Sequence, residues 1–382
     1  MDLAFPVHTY HERLGRVLDR MRSEEIDAVL VTMPDNINWL TGYDTLGYLW
    51  FQCLLITDRL DEPRFLTRTM ESAGVHYTSC IRDARYYDIV SEDPVAKVVD
   101  WVSELSLQSG RIGVELSSFT LLPYQWDQLR AALPDARFVD ATNTVAEERV
   151  VKSTLEQEYQ RKAARAADLA LMAGVEALEP GISETAVAGI MADALGAAGS
   201  EHAAIPPMIV SGERTQMIHA LARPRAIGQG DLVILELAGV CNRYHAVLMR
   251  TASLGEPSLR ARDVAAWLAE AHAAAIAEVR PGADPDAPNR ACNAVLERVG
   301  LVENRAHRIG YSLGIAYAPT WLEPMMLAEG DPHTMQPGMS FTIEPNLWLP
   351  DEGFGVKLGE TVACTADGPV SLSQLPHDLI VV

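Results

Sequence analysis

The chain has 382 residues, 48% of them hydrophobic, and 31 basic against 52 acidic residues give it a formal charge of -21. That length supports two domains with a large buried core, and that charge repels nucleic acid and anionic membrane alike. The five cysteines, Cys53, Cys80, Cys241, Cys292 and Cys364, form no Cys-x-x-Cys pair, so reduced thiols are expected rather than a disulfide framework.

From the N-terminus, which carries no basic and apolar leader, residues 8–25 place apolar positions at helical spacing, and residues 26–32 read as a buried strand. Residues 34–43 read as a turn-rich stretch leading into an aromatic cluster of Trp39, Tyr43, Tyr48, Trp50 and Phe51. Strands are expected over 51–57, 63–67 and 111–115, with a helix over 94–107. This alternation predicts an open α/β sheet for roughly the first 150 residues. The texture changes near Arg149, where an Ala-rich helix is expected over 154–178, capped by Ser153 and stopped by Pro180 and Gly181. Further helices are expected over 183–198, 259–279 and 288–299, followed by Gly-, Pro- and aromatic-rich strands. These elements predict an α+β second domain, with the chain dividing into residues 1–152 and 153–382. No run of about 20 apolar residues occurs, so a soluble cytoplasmic protein with no membrane partner is expected.

Between the second and third of these helices, residues 231–251 form two apolar, β-branched-rich runs flanking Gly239 to Arg243, which predicts a hairpin with a short turn. Glu236 interrupts the first run, on the strand face shared by Ile234 and Ala238. An unpaired carboxylate there costs roughly several kcal/mol, so Glu236 requires a partner or a ligand.

Several stretches, in this order, resemble the pita-bread family of prolidases, X-Pro aminopeptidases, methionine aminopeptidases and creatinase. They are Asn36 to Tyr43, Lys152 with Ser153, Glu179 to Gly181, Gly230 to Val233, Tyr244 with Arg250 and Thr251, Gln336 to Pro345, and Leu375 to Val381. The resemblance implies an α/β N-terminal creatinase-like domain plus an α+β pita-bread C-terminal catalytic domain. Metal-dependent members hold two divalent ions with two Asp, one His and two Glu. Those positions are occupied here by Glu236, Val247, Tyr311, Glu344 and Gly359. Such cations require several carboxylate or imidazole ligands converging on one point. No catalytic metal and no other cofactor is therefore expected, with Glu360 or His245 the residues able to rebuild a single mononuclear site.

The resemblance then runs to the metal-free branch of creatinase and ectoine hydrolase, which hydrolyse C–N bonds of small amidine- or guanidine-like solutes. His219 lies where creatinase-like members carry their catalytic histidine, and an imidazole exchanges protons near neutrality. Met249 replaces the Glu that meets a guanidinium in creatinase, whereas residues 236–239, 244–246, 310–314 and Trp321 are similar to ectoine hydrolases. The expected function is metal-independent opening of a cyclic amidine, with Glu236 as nucleophile or counter-ion and His219 as proton carrier. Tyr311, Glu344, His245, Tyr244, Arg308, Trp321 and Glu360 are the expected substrate-binding residues. Arg214 and Arg308 are candidates for a substrate carboxylate, and Tyr317 with Trp321 for an aromatic wall. The family also implies a homodimer in which the N-terminal domain of one chain lies near the active site of the other, giving Trp39, Tyr43 and Trp50 a place there. Other readings are an X-Pro dipeptidase or aminopeptidase with a non-standard metal site, a creatinase-like amidinohydrolase, or a non-catalytic ligand-binding dimer.

Overall fold

The computed structural model describes residues 2–305 and 307–382. The chain divides into two compact units between Arg149 and Val150.

The N-terminal unit runs α1 (Val7–Ser23), β1 (Ala28–Val31), α2 (Pro34–Thr41), β2 (Cys53–Ile56), β3 (Arg64–Arg68), α3 (Ser72–Thr78) and β4 (Asp83–Tyr87). It continues through α4 (Pro94–Glu104), β5 (Arg111–Val114), α5 (Pro123–Ala132), β6 (Arg137–Asp140) and α6 (Thr142–Ala146). The sheet order is β4-β3-β2-β1-β5-β6, and β1 pairs antiparallel with β2 but parallel with β5. Leu30, Leu55, Leu66 and Ile112 pack against Val98, Trp101 and Val102 of α4, which is why these short strands are apolar. Residues 34–41, expected as turns, are helical. Pro34 fits the first turn, where its missing N–H is not needed, and Gly42 closes the helix at φ 82°.

The start of α2 is fastened by a buried polar network. Glu115 accepts from the backbone N–H of Thr32 at 2.6 Å and of Met33 at 2.7 Å, and from Asn36 Nδ2 at 2.5 Å. Asn36 Oδ1 in turn accepts from Arg149, whose guanidinium also lies 2.8 Å from Asp35. Burial outweighs these donors and pushes the Glu115 carboxyl up from 4.5 to about 7. Because the folded state holds this proton more tightly than the unfolded chain, the contribution is complete below the unfolded value and is lost as pH rises through the folded one. Urea unfolding of the full chain should therefore lose stability from about pH 5 to about pH 7, at ~1.4 kcal/mol per pH unit from this group. A Glu115→Gln variant with the same slope would show that Glu115 is not its source.

The C-terminal unit opens with α7 (Thr154–Glu176), α8 (Glu184–Ala197), β7 (Met208–Ser211), β8 (Leu232–Cys241), β9 (Tyr244–Ser253), α9 (Leu259–Ala277) and α10 (Ala287–Arg298). Strands follow: β10 (Gly310–Tyr317), β11 (Thr320–Met326), β12 (Ser340–Ile343), β13 (Asn346–Leu349), β14 (Phe354–Lys357), β15 (Gly359–Thr365), β16 (Gly368–Ser371) and β17 (Ile380–Val381). The main sheet runs β11-β10-β12-β15-β9-β8-β7, with β16 on β15 and β17 on β9, while β13 and β14 form a separate two-stranded ribbon. Ser153 caps α7 as expected, and Glu156 completes the reciprocal capping box.

Strand alternation assigns the two faces of β8. Val233, Leu235 and Leu237 pack with Leu171 and Val175 of α7 and Val187 and Met191 of α8. Ile234, Glu236 and Ala238 therefore face the opposite side. The hairpin turn is Asn242–Arg243, with φ of 50° and 65°, the left-handed pair of a type I′ turn. Gly239, expected at the edge of the turn, lies inside β8 opposite Ala246. Among the described residues no helix is long and apolar enough to cross a membrane.

Candidate active site

The register of the main sheet places Met208, Glu236, Met249 and Gly359 in one row across β7, β8, β9 and β15. The ribbon adds a second set of polar groups, because Asn346 on β13 pairs with Lys357 on β14. Lys357 Nζ reaches Glu236 Oε2 at 2.5 Å, and both side chains are about 5% exposed or less. Thr251 of β9 fixes the end of the ribbon, donating to the Lys357 carbonyl at 2.8 Å and accepting its N–H at 2.9 Å. The partner demanded by Glu236 is thus an ammonium from a strand 121 residues away.

Glu344 stands immediately after β12 and closes the cluster. Its Oε2 accepts from Thr342 at 3.1 Å and from Tyr311 at 3.3 Å, and Trp321 donates to the Tyr311 hydroxyl at 2.8 Å. Burial pushes the Glu344 carboxyl up to about 7, with the Lys357 charge opposing the shift and that of Glu236 adding to it. Tyr311 is held well above its ordinary value by burial and by Glu344, so its phenol stays neutral. Burial also works against the Lys357 ammonium, but Glu236 and Glu344 outweigh it and keep that pKa raised. The site therefore holds a fixed cation, a carboxylate, and a carboxyl group poised near neutrality.

A narrow cleft lies beside Glu236 and Lys357, with about 10 Å³ of space that a water-sized molecule can occupy. Met208, Ile234, Leu347 and Trp348 supply apolar walls, while Met217, Ile218 and Ala220 contribute a loop. Glu184 clamps that loop at both stems, accepting from the N–H groups of Ser211 at 2.8 Å and Arg223 at 3.0 Å and pairing with Arg214.

Some expected site residues converge here and others do not. Glu344, Tyr311 and Trp321 are joined by hydrogen bonds, and Glu344 and Tyr311 feel the charge of Glu236, but of the four only Glu236 is in the lining of the cleft. Arg308 is exposed, its guanidinium 5.2 Å from the Tyr311 ring centroid. His219 is exposed on the loop whose neighbours line the cleft but is not itself in the lining. Its charge is felt by His307. Arg214 is occupied by Glu184 and by the Leu221 carbonyl at 2.9 Å. His245 is a scaffold group: its Nδ1 donates to the Arg243 carbonyl at 2.8 Å, its Nε2 accepts from the Ala204 N–H at 3.0 Å, and burial pushes it down to about 3. Tyr244 points to α7, where it donates to Glu156 at 2.5 Å. Glu360, one residue beyond the Gly359 row, faces the other way and binds Arg250 at 2.6 Å and His377 at 3.1 Å. Burial would raise its carboxyl, but His377 and Arg250 hold it down at about 2. Tyr317 stacks under Arg243 instead of lining the cleft. Trp39 and Tyr43 are buried within the N-terminal unit, whereas Trp50 is 40% exposed beside Arg68. Lys357, His307 and Asn346 were not anticipated, although a lysine inside the apolar stretch Phe354 to Leu358 carries the same signal as Glu236.

These residues do not fit a pair of divalent ions. Val247 and Gly359 offer no side-chain donor, Tyr311 is a neutral phenol, and Glu236 is engaged by an ammonium. A side chain at 359 would begin 2.8 Å from Met249 Sδ and 2.9 Å from Glu344 Cβ, so a restored Glu would require neighbours to move. Among the described residues no group of three or more His, Cys, Asp or Glu is placed to share a metal ion. His245 and Glu360, the two candidates for rebuilding a mononuclear site, are committed elsewhere.

Residues 13–151 match the creatinase/prolidase N-terminal domain, and residues 158–366 match metallopeptidase family M24. The chain belongs to family M24, a hydrolase family whose pita-bread catalytic domain follows a creatinase-type N-terminal domain. It is 31% identical to an uncharacterized hydrolase/peptidase of Sinorhizobium fredii over 99% of both chains. It is 29% identical to an ectoine hydrolase of Halomonas elongata over 100% of this chain and 99% of that one. A solved Xaa-Pro dipeptidase from Bacillus anthracis superposes with a TM-score of 0.86 at 21% identity, covering 98% of this chain and 100% of its own, a likeness of fold.

Proposed function

We propose that the chain hydrolyses a C–N bond of a small amidine-type solute, ectoine or a close analogue, without a metal ion. The observation that carries this reading is the Lys357 ammonium paired with Glu236 and acting by its charge on Glu344, two positions at which the resemblance implies metal ligands in metal-dependent relatives. Kinship to ectoine hydrolase over the whole chain supports the substrate class. Glu236 and Glu344 accept the N–H groups of an amidinium, and Glu236 either attacks its electrophilic carbon or holds the cation while water attacks. Addition of water and cleavage of one C–N bond convert the ring to an amide and an amine, which for ectoine is N-acetylated diaminobutyrate. Glu344, near pH 7, gives the leaving nitrogen its proton and recovers one from water. His219 relays protons from the rim, and Arg308 receives a substrate carboxylate there. The chain acts as a cytoplasmic homodimer on this reading, with Trp50 offered to the partner.

Proton NMR of chelator-treated protein with ectoine, hydroxyectoine, creatine and an X-Pro dipeptide tests it. Ring opening of ectoine is expected. Cleavage of the dipeptide alone, and only after metal is restored, would replace this reading with the peptidase one.

A further inference from the structure

Asn346 lines the cleft beside Glu236 and Lys357, is 4% exposed, and leaves Oδ1 without a hydrogen-bond partner among the described residues. Leaving a buried acceptor unpaired is costly, and one that lies at a cleft is satisfied by a donor arriving there. The other end of the same amide is held: Asn346 Nδ2 lies 2.8 Å from His307 Nε2, and His307 Nδ1 lies 2.6 Å from the Arg308 carbonyl. A carbonyl accepts only, so Nδ1 carries the imidazole proton and Nε2 is a lone-pair acceptor. Burial, which pushes His307 down to about 4, keeps the ring in this singly protonated form. Nε2 then requires a donor, which orients the amide with Nδ2 toward His307 and Oδ1 away from it.

We infer that Asn346 is a specificity-determining residue whose Oδ1 accepts an N–H of the bound substrate, and that His307 is the positioning residue that sets this orientation. The inference rests on the amidine reading above and deepens it. In the cleft, Glu236 and Asn346 present two acceptors beside one fixed donor, Lys357. That pattern selects a molecule with several N–H groups on one small cationic framework and rejects one in which an N–H is replaced by N–CH₃, which leaves Oδ1 unpaired.

The test is calorimetric binding of ectoine and of its N-methylated ring analogues to the full chain, with hydrolysis followed separately by NMR. Wild type should bind ectoine about ten- to a hundredfold more tightly than the analogue methylated at the contacted nitrogen. Asn346→Leu, close in volume but without an acceptor, should lose that preference. Asn346→Asp restores an oxygen acceptor and should recover ectoine affinity to within about threefold of wild type. Recovery in the Asp variant separates a recognition role from a packing role, because both substitutions remove the donor to His307. Equal discrimination by wild type and Asn346→Leu would overturn the inference, as would failure of wild type to bind ectoine at all. Discrimination without hydrolysis would leave the inference standing and contradict the hydrolase reading.

Discussion

Glu236→Gln is expected to lower turnover of the amidine substrate by about a thousandfold or more, with a smaller effect on substrate binding. Gln keeps the shape of the side chain and one acceptor, so Met208 and Met249 on either side of it in the row need not repack. What it loses is the negative charge that faces both Lys357 and the amidinium carbon. Single-turnover kinetics beside a chromatographic check of folding would measure this directly. Wild-type turnover of every hydrolysed substrate would remove Glu236 from the mechanism while leaving the fold untouched.

The largest expected effect on stability comes from Lys357→Met. Methionine fills much of the lysine stem, but Glu236 and Glu344 are then left facing each other without a cation, and breaking a buried pair costs about 3–5 kcal/mol. Because both carboxyls then prefer their protonated forms, the loss should grow as pH rises through neutrality. Urea midpoints at acid and alkaline pH measure it. Removal of the ammonium also leaves two carboxylates within reach of an added divalent ion, so millimolar Mn²⁺ should restore part of the midpoint in the variant and leave wild type unchanged. A variant as stable as wild type across that pH range would show that the ammonium is not what keeps the two carboxylates together.

Much of this architecture was legible in the sequence because helix and strand periods are strong in long segments. Ser153 at the start and Pro180 with Gly181 beyond the end marked α7, and the apolar runs around Glu236 marked the hairpin. Glu236 stood out because a carboxylate in an apolar strand must be compensated. The same argument applied to Lys357 within Phe354 to Leu358 would have found its partner, since each charge in an apolar strand implies the other. Residues 34–41 were read as turns although Pro34 and Gly42 are placed where a helix starts and stops. Tyr244 and Glu360 were misassigned for a reason that strand alternation itself explains. Each adjoins a residue of the site-facing side and so points to the opposite one, where Glu156, or Arg250 with His377, takes it. His245 does lie on the site-facing side of β9, but the Ala204 N–H arrives from a loop whose path no periodicity reveals. Asn346 and His307 are 39 residues apart, and only the fold brings the amide to the imidazole.

The most direct test of the central claim is the metal content of active protein, measured by plasma mass spectrometry on the sample whose ectoine turnover is followed by NMR. The account predicts turnover with divalent metal far below one ion per chain and unaffected by chelation. One or two ions per chain, with activity lost on their removal and regained on their return, would contradict it.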